Sequence, residues 1–447
     1  MSSSTLILLF VLAIFVLLYL VMVKKMQPFL VLLIVSVLLG LFAGVDPIKV
    51  VESVQKGMGE TLAQISIIIG LGAMFGEILN VSGGAERIAS TLIDKFGEKR
   101  LNWAFVLSGF LVGIPVFFTV GFVVLIPLLY SVVRRTNKPI LYFGLPLLSG
   151  LAVTQSFFPP HPGPVSTIAI LGADTGWVIL FGFLTGLPAA IVAGVFYGRF
   201  ISKKIPVLLP ENVEIPKFDN NKELPGFWLI ICLVLLPLVL MLSGTFADLF
   251  FAEGSGGYVA LQFLGSPIIV LTIAVLLTLY VLGKKRGFSN TDLQSITTKA
   301  FEPIGGILLI IGAGGIFKQI LIDTGTSKII GDVMSDFGGG SLIITAFLIS
   351  AAIRVALGSA TVTMVTTSSL MLPAIQQIDL SQPMLALIVV TIASGATVLS
   401  HFNDGAFWMV GKYFGLTEKQ TLMSWTVTET IIGCVGFVLC FIISFFV

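Results

Sequence analysis

Apolar stretches of about 17 to 25 residues recur from one end of this 447-residue chain to the other, with short polar links between them. A helix of that length spans the hydrocarbon core of a bilayer. No long hydrophilic segment separates the stretches, and 56% of the residues are hydrophobic while 11% are charged. The sequence therefore predicts an all-α, polytopic membrane protein built as one integral-membrane unit.

The charges and cysteines exclude several other classes of function. The 25 basic and 23 acidic residues nearly cancel, which gives no electrostatic support for nucleic-acid binding. Cys232, Cys434 and Cys440 lie inside apolar stretches, without the paired spacing of disulfides or metal sites. An enzyme needs a nucleophile–base pair or a metal cluster, which two histidines and scattered cysteines do not supply. A channel needs a continuous polar stripe, which is also missing. We therefore expect no enzymatic activity, no metal and no cofactor.

Two apolar segments are too long for one membrane crossing and too interrupted for two ordinary ones. They cover about 101–133 and 341–372, and their middles carry the glycine-containing breaks GIPVFFTVG (113–121) and ALGSAT (356–361). A helical hairpin that enters and leaves the membrane on one side fits both segments. We predict two re-entrant hairpins.

The remaining apolar stretches give ten candidate crossings. With hairpins that do not cross, most lysines and arginines fall on the inner side, as the positive-inside rule requires, and both termini lie outside. The ten candidate spans lie near residues 5–22, 28–45, 61–81, 141–173, 176–200, 226–245, 265–283, 302–322, 384–412 and 424–446.

The chain also resembles itself at a separation of about 242 residues. GLGAMFGEILNVSGG (70–84) matches GAGGIFKQILIDTGT (312–326), and SGLAVTQSF (149–157) aligns with SGATVLSHF (394–402). Between them, DKFG in the first half meets DFG (336–338) in the second. The glycines of these segments are expected to permit close helix packing.

Each half then contains three spans, a hairpin and two more spans. That is an odd number of crossings, so the second half is inverted relative to the first. We predict a first inverted repeat over 1–204, a cytoplasmic linker over 205–225 and a second repeat over 226–447. Such an architecture is typical of secondary transporters, with the binding site at the interface of the repeats.

One span in each half carries a break. SFFPPHPGPVS (156–166) contains four prolines, which remove backbone donors and disfavour helix, within a broken helix of about 141–173. Its symmetric partner, SHFNDGAF (400–407), interrupts a broken helix of about 384–412. Unwound backbone is tolerated at membrane depth where it is buried or lines a wet cavity, and half-helix N-termini there suit an anion.

Polar side chains at the breaks and hairpin tips suit a hydroxylated acid. Hydroxyl and amide groups recognise a polyol and helix ends suit a carboxylate, so a sugar acid satisfies both. The predicted substrate-binding residues are Gln155, Ser156, His161, Ser359, Thr361, Thr363, Asn403, Asp404 and Arg354.

Three of these residues have more than one interpretation. His161 either meets ligand or proton or locks the proline loop, and Asp404 either handles substrate or proton or caps the following half-helix. Arg354 neutralises Asp404, meets the substrate carboxylate or lies near the outer interface. Glu77, Glu302 and Glu429 have no identifiable partner in the sequence, so a structural role is expected for each.

At these residues the sequence resembles the gluconate:proton symporter family. The similarity runs through nearly the whole chain and is carried by FFPPHPGPVSTIA (157–169), ALGSATVTM (356–364), SHFNDGAFWMVGKYFGLT (400–417) and WTVTETIIG (425–433). This resemblance implies import of gluconate or a related sugar acid with protons. It further implies a homodimer in a bacterial inner (plasma) membrane. Its ion-transporter relationship implies an elevator mechanism, in which hairpins and broken spans move against a scaffold.

One departure concerns coupling. In IPVFFTVGFV (114–123), Thr119 stands where the family commonly carries an acidic residue, a natural candidate for the coupled proton. Either His161 or Asp404 then carries the proton, or coupling is weakened. The alternatives are another small hydroxy acid or D-serine as substrate, and sodium as the coupling ion, because hydroxyls and unwound carbonyls also hold sodium.

Overall fold

The computed structural model describes residues 2–209, 223–326, 329, 339–376 and 378–447. Every regular element in these ranges is a helix, which confirms the predicted all-α class. The first half contains α1 (Ser3–Met22), α2 (Pro28–Phe42), α3 (Pro47–Val81), α4 (Gly84–Phe96), α5 (Leu101–Gly113), α6 (Phe118–Thr136), α7 (Leu141–Phe157), α8 (Pro162–Leu171) and α9 (Thr175–Lys204). The second half contains α10 (Phe227–Thr245), α11 (Gly256–Gly265), α12 (Pro267–Arg286), α13 (Asn290–Lys299), α14 (Gly305–Asp323), α15 (Gly339–Leu357), α16 (Ala360–Ile375), α17 (Gln382–Thr397), α18 (Gly405–Phe414) and α19 (Glu418–Ile443).

Nine helical segments of the described chain are long and apolar enough to cross a membrane. Shorter apolar helices, α2, α16 and α17 among them, lie between these segments. The protein is therefore a multi-pass membrane protein. The number of ten crossings and the outward position of both termini remain predictions.

Helix α3 is longer than the sequence indicates. The apolar pattern predicts a span near 61–81, whereas the helix begins at Pro47 and has 35 residues. Asp46 caps it, because its Oδ1 accepts the N–H of Ile48 at 2.9 Å and that of Lys49 at 3.4 Å. A helix of this length rises about 50 Å, against about 30 Å for the hydrocarbon core. Its polar first turns therefore extend past the core, where hydropathy alone does not detect them.

Both predicted hairpins are pairs of helices joined at the glycine-containing breaks. In the first half α5 ends at Gly113 and α6 begins at Phe118, and in the second half α15 ends at Leu357 and α16 begins at Ala360. Helix α5 has only 13 residues, about 20 Å, which is too short to cross the core alone. This length agrees with the hairpin interpretation.

Both predicted broken spans are present. Helix α7 stops at Phe157 and α8 starts at Pro162, with a cis peptide bond between Pro159 and Pro160 in the interruption. In the second half, residues 398–404 separate α17 from α18. Prolines therefore occupy the first break, and in the second break Asn403 and Asp404 lead into α18, which begins at Gly405.

Glycines of the repeated segments bring these breaks against the long helices. A Cβ atom added at Gly72 of α3 would lie 2.7 Å from Cβ of Pro160, and one added at Gly76 would overlap the carbonyl of Pro115 at the first hairpin tip. At the equivalent place in α14, a Cβ on Gly314 would lie 2.5 Å from Val365 of α16. These glycines permit close packing, as expected from the sequence.

Parts of the repeat prediction lie outside the described residues. These are the DFG match at 336–338 and residues 210–222 of the linker predicted over 205–225. The repeat boundaries, 1–204 and 226–447, remain predictions.

Candidate functional site

A cavity of about 270 Å³ lies where the second hairpin tip meets the break between α17 and α18. The end of α7, the start of α6 and one face of α19 complete its wall. Seven of the nine predicted substrate-binding residues line it: Gln155, Ser156, Arg354, Ser359, Thr361, Asn403 and Asp404. Residues far apart in sequence therefore meet around one small polar space.

Arg354 and Asp404 form an ion pair in the wall of this cavity. The Arg354 Nη2 atom lies 2.5 Å from Asp404 Oδ2, and the two side chains are 2% and 15% exposed. Arg354 Nη1 also donates to the carbonyl of Gly358. Of the three interpretations of Arg354, neutralisation of Asp404 is the one that the contacts show, and the guanidinium still lines the cavity.

Asp404 also caps the half-helix after the break. Its Oδ1 atom accepts the N–H of Ala406 at 3.0 Å at the start of α18. Its Oδ2 atom accepts the hydroxyl of Ser400 at 2.5 Å in addition to the Arg354 guanidinium. Both carboxylate oxygens of Asp404 are therefore engaged in holding the break together.

The starts of three helices face the cavity. Ser359 caps α16 by accepting the N–H of Val362 at 3.4 Å, and Gln155 Oε1 accepts the N–H of Phe118 at 2.9 Å at the start of α6. First-turn N–H groups of a helix have no intrahelical acceptor and carry partial positive charge. The first-turn residues of α16 and α18 that line the cavity are Ala360, Thr361, Gly405 and Ala406.

The hairpin tip and the break hold each other directly. Asn403 Nδ2 donates to the carbonyl of Val355 at 2.8 Å. Gly358 has φ +76°, in the left-handed region, and a Cβ there would overlap the backbone carbonyl of Asn403. Glycine is required at this tip, because any other side chain would push the hairpin off the break.

Helix α19 fixes the break from the other side. Trp425 Nε1 donates to Ser400 Oγ at 2.9 Å, and the Thr426 hydroxyl donates to the Ser400 carbonyl. Ser400 in turn donates to Asp404. A chain of hydrogen bonds therefore runs from α19 through the break to the Arg354 ion pair.

Three predicted residues lie outside the cavity lining. His161 is 2% exposed, with Nε2 2.6 Å from the carbonyl of Gly113, so it locks the proline loop to the first hairpin. Thr363 is fully buried inside α16, and its hydroxyl has no hydrogen-bond partner among the described residues. Thr119 is exposed on the first turn of α6. Of the proton-coupling candidates, only Asp404 reaches the cavity.

Two side chains of the wall that carry polar groups, Glu429 and Trp425, were not among the predicted site residues, and Glu429 was expected to have a structural role. Glu429 is 4% exposed, and its Oε1 atom lacks a hydrogen-bond partner in the described part of the chain. The two residues are four apart and share one face of α19. An acidic residue within an apolar span is the signal that could have identified Glu429.

Metal chemistry has no support from the donor set. Within residues 2–209, 223–326, 329, 339–376 and 378–447, no three His, Cys, Asp or Glu side chains group together as metal ligands. What the cavity offers is one guanidinium, two carboxyl groups, hydroxyls, amides and helix N-termini.

Comparison with characterised proteins places the chain among permeases. Residues 5–446 match the GntP family permeases. The chain is 41% identical over 446 residues to the gluconate permease of Zymomonas mobilis, covering 98% of both chains. It is 38% identical over 436 residues to the low-affinity gluconate transporter of Escherichia coli, covering 98% of this chain and 97% of the other. The Gnt-II system L-idonate transporter of the same organism is 35% identical over 414 residues, covering 92% and 93%.

Two solved structures share the fold at low sequence identity. The YdaH transporter of Alcanivorax borkumensis superposes with a TM-score of 0.69 at 12% identity, covering 94% of this chain and 99% of the other. MtrF of Neisseria gonorrhoeae gives a TM-score of 0.66 at 16% identity, covering 88% and 84%. These two transporters therefore share the fold of this chain. The match to the permease family and the relatives that are named transporters confirm the expectation of transport rather than enzymatic activity. With the match over residues 5–446 and relatives above 30% identity along nearly all of their length, the chain belongs to the GntP family of permeases.

Proposed function

We propose that this permease imports a sugar-acid anion, gluconate first, together with protons. The observation that supports this most is the composition of the cavity wall. It joins the Arg354 guanidinium and two helix N-termini to a ring of hydroxyl and amide side chains. One end of such a wall suits a carboxylate and the other a polyol.

The carboxylate end consists of Arg354 and the starts of α16 and α18. Arg354 keeps a fixed position through Asp404 and Gly358, so its guanidinium is held in place before the anion arrives. The hydroxyl and amide groups of Gln155, Ser156, Thr361 and Asn403 are left to meet the polyol. Asp404 organises the carboxylate end, because it caps α18 and pairs with Arg354, and it is also a proton candidate from the sequence.

The size of the cavity suits a small solute. Its volume of about 270 Å³ lies just below the range of about 300–1,000 Å³ typical of pockets for drug-sized ligands. Relatives at 35–41% identity are named for gluconate or L-idonate, both sugar acids. D-serine, glycerate or another hydroxy acid remains the alternative substrate.

Proton coupling has a simple energetic consequence. One proton moving with one monoanion is electroneutral, so membrane voltage does no net work. A pH difference contributes about 1.36 kcal/mol per unit, or about tenfold accumulation of the anion. Sodium coupling is the alternative, and replacement of sodium would abolish uptake in that case.

The mobile part of the mechanism is proposed to be the hairpins and broken spans, together with α19, which Trp425 and Thr426 hydrogen-bond to Ser400 in the second break. All residues of the cavity wall come from α6, α7, the second hairpin, the break before α18, and α18 and α19. An elevator motion of these elements against the other helices, in a homodimer in the bacterial inner membrane, would carry the site across the bilayer.

The first test is uptake of labelled gluconate into proteoliposomes with an inward pH gradient. We expect about tenfold accumulation per pH unit, no uptake driven by voltage alone and no effect of sodium replacement. Unlabelled gluconate and L-idonate should compete, and glycerate should compete weakly. No gluconate uptake under any gradient would contradict the proposal.

A second test addresses the binding residues. Thr361→Val removes one neutral hydrogen-bonding group from the cavity wall, worth about 0.5–1.5 kcal/mol, so the KM for gluconate should rise about 2- to 12-fold. Thr367→Val is the matched control on the same helix. Thr367 is fully buried, lies outside the lining and has a hydroxyl without a partner in the described structure. Equal KM changes in both variants would remove Thr361 from the site.

A further inference from the structure

Glu429 differs from the other acidic residue of the cavity. Both carboxylate oxygens of Asp404 accept hydrogen bonds, from Ala406 and from Ser400 with Arg354. The Oε1 atom of Glu429 is buried without a partner in the described chain, although the residue lines the cavity. One carboxyl group is thus committed to structure, and the other is free to gain or lose a proton.

The charged groups that face Glu429 are few. Arg354 and Asp404 are close enough to interact with it electrostatically. Helices α7, α9, α15, α17 and α18 pack against α19. Helix α18 contains Lys412, in its last turn. Helices α7 and α17 contain no acidic or basic residue, and α15 contains only Arg354. The charged residues of α9 are Arg199, Lys203 and Lys204, all in its last two turns.

The charge of the wall therefore depends on Glu429. Arg354 and Asp404 cancel each other, so an ionised Glu429 leaves the wall with one net negative charge, which opposes an incoming anion. Protonation of Glu429 makes the wall neutral, and the Arg354 guanidinium can then attract a carboxylate. The loaded site, with one proton and one monoanion, has the same net charge as the empty site with Glu429 ionised.

We infer that Glu429 carries the coupled proton, a role that rests on the proposed proton-coupled transport of a sugar acid. On the outer side, a hydronium ion transfers a proton to a Glu429 carboxylate oxygen, so that an O–H bond of hydronium breaks, an O–H bond forms on Glu429 and water is released. The anion then binds beside Arg354. On the inner side the anion leaves, the O–H bond breaks, and the proton passes to water. No other covalent bond changes.

The test compares uphill accumulation with exchange in proteoliposomes. Exchange of labelled for unlabelled gluconate at equal concentrations needs no net proton movement, whereas accumulation under a pH gradient does. In Glu429→Gln, which keeps the shape without the ionisable proton, exchange should continue while accumulation falls from about tenfold per pH unit to none. Continued exchange also reports that the variant is folded and binds substrate.

Two further variants separate the proton from packing. Glu429→Asp retains a carboxyl group and should retain accumulation. Glu77→Gln is the matched control, since Glu77 is a half-buried glutamate on α3 outside the cavity lining, and it should accumulate like the original chain. Accumulation by Glu429→Gln at the original level would overturn the inference.

A second measurement does not depend on gluconate. Infrared difference spectra of the purified chain between two pH values resolve the carbonyl stretch of a protonated carboxyl group. We expect a carboxyl band in the original chain that is lost in Glu429→Gln and kept in Glu77→Gln. If this band is unchanged in Glu429→Gln, the inference is also overturned. If the original chain transports no sugar acid, the proposed function fails instead, and the band still reports on Glu429.

Discussion

Breaking the Arg354–Asp404 pair from one side should destabilise the protein more than removing both charges together. Nη2 and Oδ2 lie 2.5 Å apart, with the side chains 2% and 15% exposed. Removing one partner of a buried pair leaves an uncompensated charge and costs about 3–5 kcal/mol. We expect this loss for Arg354→Gln. Asp404→Asn should lose a similar amount from the charge alone, because asparagine is also a good N-cap and preserves the start of α18.

The double variant Arg354→Gln/Asp404→Asn isolates the pair. Its loss of unfolding free energy should be smaller than that of either single variant, which makes the coupling at least about 3 kcal/mol, because neither charge is left alone. Denaturant unfolding in mixed micelles measures all four proteins. Gluconate uptake should stay abolished in the double variant, since the guanidinium is absent even where stability recovers.

An exposed pair provides the control for this cycle. Arg135 Nε and Glu98 Oε1 lie 3.9 Å apart, with side chains 56% and 74% exposed. The same cycle at this pair should give a coupling below about 1 kcal/mol. If the losses at Arg354 and Asp404 are additive, with a coupling no larger than that of the control pair, the view that this pair organises the cavity is refuted.

Three further predictions follow from single positions. Gly358→Ala should reduce uptake at least about tenfold, because a non-glycine residue in the left-handed conformation costs about 1–2 kcal/mol and the added Cβ would overlap the Asn403 carbonyl. Gly59→Ala is the control, since Gly59 has open space around it, and this variant should transport normally. Thr119→Asp should leave accumulation unchanged, because Thr119 lies outside the cavity lining, and accumulation only in the variant would contradict this. Hydrogen bonds from Ser289 hold the pKa of the exposed Asp292 carboxyl below its ordinary value of 3.8. The ionised carboxylate therefore stabilises α13 above pH 3.8, and this stabilisation is lost as the pH falls through the lowered pKa. The protection factors of the amides in the first turn of α13, which correct for the intrinsic exchange rate, should therefore fall at low pH in the original chain, and Asp292→Asn should lose that dependence.

The spans and breaks were predictable because they depend on local chemistry. Apolar length identifies a membrane helix, and the prolines between Phe157 and Val165 prevent a continuous one. The start of α3 was not predictable from hydropathy, because its polar first turns are set by the Asp46 cap. A capping residue followed by Pro47 is a local signal, and it competes with an apolar pattern that begins much later.

The cavity was predictable only in part, because side-chain direction depends on packing between helices. Polar residues beside a break must face a wet or buried space, and Asn403, Asp404 and Ser359 do line the cavity. His161 also lies beside a break, yet the proline loop turns its ring toward Gly113. Glu429 lies on an unbroken helix, and only the position of α19 against the second hairpin directs it into the cavity.

The carboxylate end of the proposed site is built partly from main-chain N–H groups at the starts of α16 and α18. Among point mutations only a substitution by proline deletes a main-chain N–H group, whereas the hydroxyl and amide positions around it are free to change. Inherited substitutions at those positions should alter which hydroxylated part of a substrate is accepted, while the groups that bind its carboxylate are retained. Descendants of one ancestral permease are then expected to diverge readily among acids of different length and stereochemistry, and to reach uncharged substrates only by rebuilding the two helix starts.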